Sequence, residues 1–279
     1  MFDSHCHLHD DRVRADAAHA VVRAQQAGLS GLLLAGVDRD SWAQQAALRR
    51  ALSTPNFDIG VAYGVHPQII PTLSVTQLEE QLTALRCAAL GTLILDGKPL
   101  TKPHAIGELG LDACTPEARA ALPLQSRAFR DQLALARELD LPVVLHILRT
   151  HPDALRTLKS DGLPQAGGVV HSFSGSAELA KEYLRLGLHL SCSGAITSPH
   201  APRLWAAASL VPSERLLVET DAPDQTPWPM RPGLCEPAFL PAVLAVLARL
   251  RKQTPHELAA ITETNARRLF RLPLVVGGT

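Results

Sequence analysis

Eight times along this chain a short β-branched or aliphatic run is followed by a longer Ala/Leu/Arg-rich amphipathic segment. That alternation is the signature of parallel strands joined by helical crossovers. The apolar runs fall at residues 3–8, 32–36, 59–65, 105–112, 142–146, 168–173, 189–194 and 216–221. Helix-like stretches cover about 12–27, closed by Gly28, then 41–52, 75–89 and 116–139, and another starts near Ser176. Ser74 with Gln77 three residues on is a capping-box pattern for the third of these. Eight such units in 279 residues predict an α/β fold of TIM-type (β/α)8 barrel form, a single domain spanning 1–279. Two stretches break the rhythm. Residues 91–103, with Asp96-Gly97, Lys98-Pro99 and Lys102-Pro103, read as an inserted loop or hairpin. After the last strand, Pro223, Pro227, Pro229 and Pro232 mark an extended loop, followed by a helical tail at about 237–272.

The polar residues on this frame carry the functional signal. His5, His7, His66, Glu108, His146, His171 and Asp221 all lie toward the C-terminal ends of predicted strands. Apolar parallel strands bury both faces, so a histidine or carboxylate there is costly unless it is paired, hydrogen-bonded or metal-bound. In Asp3-Ser4-His5-Cys6-His7 the two imidazoles sit at alternate positions of a strand. They would point the same way, roughly 6.5–7 Å apart, with Cys6 facing the helix layer as a small apolar filler. A lone histidine reads as a core or surface residue. Seven polar residues on the rim that carries the active site in such barrels read as a catalytic or metal site.

Charge and cysteine usage narrow the setting. Lys and Arg together number 27, as do Asp and Glu, so no long polybasic nucleic-acid surface is visible and an anionic substrate must be held locally. Five cysteines, odd in number and without zinc-ribbon or disulfide-scaffold spacing, suit a reducing cytoplasm. No apolar run is long enough to span a membrane, and no obligate protein partner is evident.

In order, the chain also contains Gly64-Val65-His66-Pro67, Ile106-Gly107-Glu108-Leu109-Gly110-Leu111-Asp112, His171-Ser172-Phe173-Ser174-Gly175, Glu219-Thr220-Asp221-Ala222-Pro223, Glu236-Pro237 and Asn265-Ala266 with Leu269-Phe270. With Asp3-Ser4-His5-Cys6-His7 at their head, these motifs resemble those of the TatD-related deoxyribonucleases, a family of metal-dependent hydrolases. The resemblance spans nearly the whole chain. It implies a distorted TIM barrel that cleaves DNA phosphodiester bonds, often as a 3′–5′ exonuclease, by a two-metal mechanism with metal-activated water. Carried over by position, His5 and His7 with Asp221 would hold one ion, His146 and His171 the second, and Glu108 would bridge them. Asp221 and Glu108 are thus the catalytic candidates, Asp221 also as base toward the attacking water.

His66 and Glu219 are candidates for orienting the ligands or binding a third metal. Arg231, Arg149 and Ser174 are candidates for holding phosphate. The commonest family pattern has an arginine two residues after the strand-five histidine. Leu148 stands there, which leaves the metal ligands intact and puts substrate contacts in question. An imidazole-rich set suits zinc, manganese, cobalt or nickel, and magnesium is associated with nuclease activity in the family. The expected substrate is a DNA strand end or short single-stranded segment. An amidohydrolase or esterase on the same barrel, including one acting on an aminoacyl ester, is the alternative. Against it, many dinuclear amidohydrolases bridge their metals with a modified strand lysine where this chain has Glu108. A non-catalytic metal-binding protein is a third reading.

Overall fold

The computed structural model describes residues 1–95 and 97–274. Its strands are β1 (Phe2–Cys6), β2 (Gly31–Leu34), β3 (Asp58–Tyr63), β4 (Ile94–Leu95), β5 (Lys98–Pro99), β6 (Ala105–Asp112), β7 (Val143–Leu148), β8 (Gly168–Val170), β9 (His189–Cys192) and β10 (Leu216–Val218). The helices are α1 (Ala17–Gln26), α2 (Arg39–Leu52), α3 (Val75–Leu90), α4 (Pro116–Ala120), α5 (Leu122–Leu139), α6 (His151–Asp161), α7 (Ala177–Arg185), α8 (Pro202–Leu210), α9 (Leu240–Arg251) and α10 (Pro255–Leu269). Eight strands form one parallel sheet in the order β1-β2-β3-β6-β7-β8-β9-β10, curled into a nearly closed TIM barrel with helices outside. Within the 91–103 stretch, β4 and β5 form a separate antiparallel pair; Asp96, part of the expected turn, lies outside the described residues.

β1 and β10 stand at the two ends of the hydrogen-bonded order. Their seam is joined largely through side chains. Asp3 accepts hydrogen bonds from the Thr220 N–H (2.9 Å) and hydroxyl, and the Ser4 hydroxyl donates to the Val218 carbonyl (2.9 Å). Beyond the strands, Asp221 N–H donates to the His5 carbonyl and His7 N–H to the Ala222 carbonyl.

Two strands slip in register, and they are the two that carry His5 and Glu108. Phe2 and Asp3 pair with Gly31 and Leu32 but Cys6 pairs with Leu34, so β1 accommodates one extra residue. Phe2 therefore packs in the barrel floor with Leu33, Ala62, Val144 and Phe270, whereas Cys6, four residues on, packs in the outer layer with Leu32, Leu34 and Trp42. In β6, Gly107 pairs with Val144 and Leu109 with Leu145, so Glu108 is the extra residue. Its N–H donates across the barrel to the Gly36 carbonyl (2.9 Å). Gly110, at φ +144°, lets β6 close on β7, because a Cβ there would lie 2.0 Å from the His146 carbonyl oxygen.

The expected helix over 116–139 is split at Ala121 into α4 and α5, since Pro123 in the first turn of α5 has no N–H to continue the preceding ladder. The expected capping box is present, with Ser74 Oγ accepting from Gln77 N–H and Gln77 Oε1 from Ser74 N–H. The C-terminal tail breaks at Lys252 (φ 56°) into α9 and α10. α10 closes the floor, where Ala266, Leu269 and Phe270 meet Phe2 and Leu217. Arg267, 1% exposed, donates to Asp58, Glu263, the Ser30 carbonyl and the Pro273 carbonyl, and stacks its guanidinium over the Phe2 ring.

Candidate metal centre

The strand ends converge on Glu108. Oε1 of this buried carboxylate lies 3.4 Å from His5 Nε2 and 3.3 Å from His7 Nε2. The same two nitrogens are 3.2 Å from each other and 3.6 and 3.5 Å from Asp221 Oδ1. On the other side, Oε2 faces His171 Nε2 at 2.8 Å, His66 Nε2 at 3.4 Å and His146 Nδ1 at 3.5 Å, with His146 Nδ1 and His171 Nε2 3.1 Å apart. All six expected metal ligands are brought together, in two sets that share one carboxylate.

Donor atoms held by bonds of ~2.1 Å around a tetrahedral cation lie roughly 3.4 Å apart. The measured edges around the first set, 3.2–3.6 Å, have that length. Moreover, neither Glu108 oxygen has a hydrogen-bond partner despite complete burial, and His5 Nδ1, His171 Nδ1 and Glu219 Oε2 are also unpartnered. A buried carboxylate left in that state is costly, and convergent lone pairs of rings and carboxylates fit divalent cations.

The rings of His7 and His146 are held from behind, and that of His171 is flanked by a carboxylate. The His7 Nδ1 lies 3.1 Å from the Ala35 carbonyl, so it carries the proton and Nε2 presents a lone pair. His146 Nε2 lies 3.0 Å from Asp112 Oδ2, and His171 Nδ1 lies 3.4 Å from Glu219 Oε1. Asp112 is itself fixed by Gln68 Nε2 and Cys114 N–H, and Glu219 Oε1 accepts from Ser172 N–H. His66 differs. Its Nδ1 accepts from Gln68 N–H (3.1 Å), so the neutral ring bears its proton on Nε2 and faces Glu108 as a donor. Burial, only partly offset by the charge of Glu108, pulls His66 down to about 4, which keeps it neutral near pH 7.

Burial alone would raise Glu108, yet the imidazoles that surround it, His5 first, hold it well below the usual carboxylate range. The opposite balance applies to His171. Burial would lower it, but Glu108 and then Glu219 lift it well above an ordinary imidazole. Without a cation, these groups can only neutralise one another.

The centre opens through a cleft of about 100 Å³ lined by His146, Leu148, His171, Ser174, Asp221 and Gln225 among others. Arg149, Ser172, Asp221 and Gln225, on the loops around it, have left-handed φ values of 61°, 41°, 57° and 52°. Backbone strain of this kind collects at functional sites. Ser174 thus lies in the wall, and exposed Arg149 follows Leu148 on the rim. Arg231 is held beside the cleft, its Nε donating to the Thr226 carbonyl and its guanidinium lying over the Trp228 ring.

The residues that the sequence reading left without a role are Asp3, Asp112 and Gln68. Strand alternation was a usable signal for Asp112, four residues beyond Glu108 and so on the same face. None exists for Gln68, which reaches Asp112 only across the loop after β3.

Comparison with known proteins gives the family. Residues 2–271 match the family model described as TatD related DNase. The chain is 32% identical over 274 residues to the uncharacterized metal-dependent hydrolase YabD of Bacillus subtilis (strain 168), covering 98% of this chain and 99% of the relative. It is 35% identical over 283 residues to the 3′-5′ ssDNA/RNA exonuclease TatD of Pectobacterium parmentieri (strain WPP163), covering 98% and 100%. The crystal structure of YJJV, a TatD homolog from Escherichia coli K12, superposes with a TM-score of 0.84 at 31% identity over 98% of each chain. Barrel, site and relatives define a metal-dependent hydrolase. Within that class, the chain belongs to the TatD-related DNase family.

Proposed function

We propose that this protein is a two-metal phosphodiesterase that removes nucleotides from the 3′ end of single-stranded DNA. The observation that carries the reading is the division of five ring nitrogens between the two oxygens of Glu108, two on one side and three on the other. His5, His7 and Asp221 would hold one divalent cation, His146 and His171 a second, and Glu108 would bridge them. Bound there, such ions supply Lewis acidity toward a phosphodiester.

The remaining roles belong to the chain. Asp221, in the cleft wall, takes the proton of the attacking water. Asp112 fixes the ring of His146 through its outer nitrogen, Glu219 lies beside the outer nitrogen of His171, and His66, with its proton on the nitrogen that faces Glu108, is a neighbour of the carboxylate rather than a ligand of a third ion. Arg149 and Ser174 offer donors to the substrate phosphate from the rim. The balanced net charge favours a strand end over long duplex. One relative is named as an ssDNA/RNA exonuclease, which supports the substrate class. The five cysteines are unpaired, which suits the cytoplasm, and no described helix is long and apolar enough to cross a membrane.

One panel tests this reading. Metal-stripped protein is resupplied in turn with zinc, magnesium, manganese, cobalt or nickel and incubated with end-labelled single-stranded DNA, RNA, an aminoacyl ester and a small amide. The DNA should shorten from its 3′ end with at least one ion. DNA left intact by every ion, with ester or amide cleaved instead, overturns the nuclease.

The slipped register of β1 gives a second expectation. Cys6→Ala should keep metal content and activity within about twofold, because Cys6 packs outside the barrel, where trimming a small side chain costs on the order of 1 kcal/mol. His7→Ala should lose both. Equal metal loss from the two variants, measured by elemental analysis, would contradict the assignment.

A further inference from the structure

Beside the cleft, Trp228 leaves 46% of its surface in solvent, whereas Trp42 is fully buried. Its position is built rather than incidental. The Trp228 backbone N–H donates to Thr197 Oγ1 (2.7 Å), whose hydroxyl donates to the Gly194 carbonyl (2.6 Å). Gly194 is packed so tightly on the next loop that a Cβ would fall 1.7 Å from the Gln225 carbonyl oxygen. Gln225 and Ala195 both line the cleft, so this clamp anchors the backbone that carries the indole next to it. Arg231 lies over the ring, 5.5 Å from its centroid, and exposed His200 meets it edge-on at 6.1 Å.

An exposed indole backed by a cation is a surface on which a planar, electron-rich ring stacks, with a positive charge at hand for the phosphate that the ring carries. Resting on the nuclease reading of the metal centre, we infer that Trp228, with Arg231 and His200, is a subsite for an unpaired nucleobase of the strand whose phosphodiester enters the cleft. Stacking is indifferent to base identity, so the subsite selects unpaired over duplex ends without selecting sequence. Arg231 then serves the strand from the platform.

The test compares wild type, Trp228→Ala and Trp228→Phe, all metal-loaded. The substrates are a single-stranded oligonucleotide, the same oligonucleotide abasic at its 3′-terminal positions, and methyl 4-nitrophenyl phosphate. For the full oligonucleotide, Trp228→Ala should lower kcat/KM roughly 5- to 100-fold, mainly through KM, and Trp228→Phe should recover most of it. On the abasic strand and the small diester the three proteins should agree within about twofold, since no base is there to stack. Binding of the oligonucleotide should also quench tryptophan emission in wild type and not in Trp228→Ala.

Equal loss on all three substrates would mean that Trp228 only shapes the loop, and an unchanged KM on the full oligonucleotide would remove the subsite while leaving the nuclease intact. If wild type binds with quenching yet cleaves no oligonucleotide, the nuclease reading falls and the platform stands. Neither binding nor cleavage overturns both.

Discussion

Glu108→Ala should abolish hydrolysis, with kcat falling on the order of a thousandfold or more. Loss of a single preorganised electrostatic group typically costs about 10²–10³ in kcat, and here one side chain serves both sets of ring nitrogens. The expected signature is joint loss. Wild type should gain thermal stability when stripped protein is titrated with metal, because an ion that binds only the folded state stabilises it in proportion to RT ln(1 + [L]/Kd). Glu108→Ala should bind less than one equivalent by elemental analysis and show little shift. Glu108→Gln separates charge from shape, since the amide fills the same space but presents only one good ligand oxygen. A Glu108→Ala protein that keeps two tightly held ions and near-wild-type turnover would refute the bridging role.

The second large effect lies at the opposite end of the barrel. Arg267→Met should destabilise the fold by about 2–3 kcal/mol, the cost of removing a buried charged donor whose acidic partner Asp58 is 32% exposed. The guanidinium of this 1% exposed residue joins α10 to Asp58 at the start of β3 and to the Ser30 carbonyl just before β2. Methionine covers the Phe2 ring but removes the guanidinium from Asp58 and the Pro273 carbonyl, while Glu263 keeps the Met1 amino group and the Ser30 hydroxyl and the Ser30 carbonyl keeps the Asp58 N–H. For a chain of this size the melting temperature should drop by roughly 5 °C. Metal stoichiometry at 25 °C should not change, because the floor and the rim are separate layers. A shift of less than about 2 °C would show that solvent replaces the lost bonds.

Much of this architecture was legible in the chain. Eight apolar runs with polar residues at their C-terminal ends suffice for a parallel barrel with an occupied rim, because both signals are local and repeat. The lengths of the runs misled in one respect. Residues 168–173 and 216–221 look like continuous strands, yet the ladders stop at Val170 and Val218. His171, Ser172 and Asp221 lie on the turns beyond, where left-handed φ values re-aim the chain. The slips in β1 and β6 were equally out of reach, since a single inserted residue leaves period-two alternation readable on either side of it. Alternation places Asp112 on the face of Glu108, but its task shows only in the fold, because its partner, His146, comes from a different strand. Arg267 could not be told from an ordinary helix-surface arginine, as its burial depends on Ser30 and Asp58, far away in sequence.

The barrel seam has a further consequence. The first strand brings His5 and His7 to one side of it and the segment after the last strand brings Asp221 to the other, while Asp3 and Thr220 meet across it from positions 217 residues apart. A cation taken up by His5, His7 and Asp221 would therefore tie the beginning of the barrel to its end, closing a loop of about three-quarters of the chain. Ligands gathered from such distant positions gain the most from cross-linking in chain-entropy terms. In this reading the ion that serves the reaction is also a covalent-like staple of the tertiary fold, and loss of metal is felt as an opening of the molecule along one line.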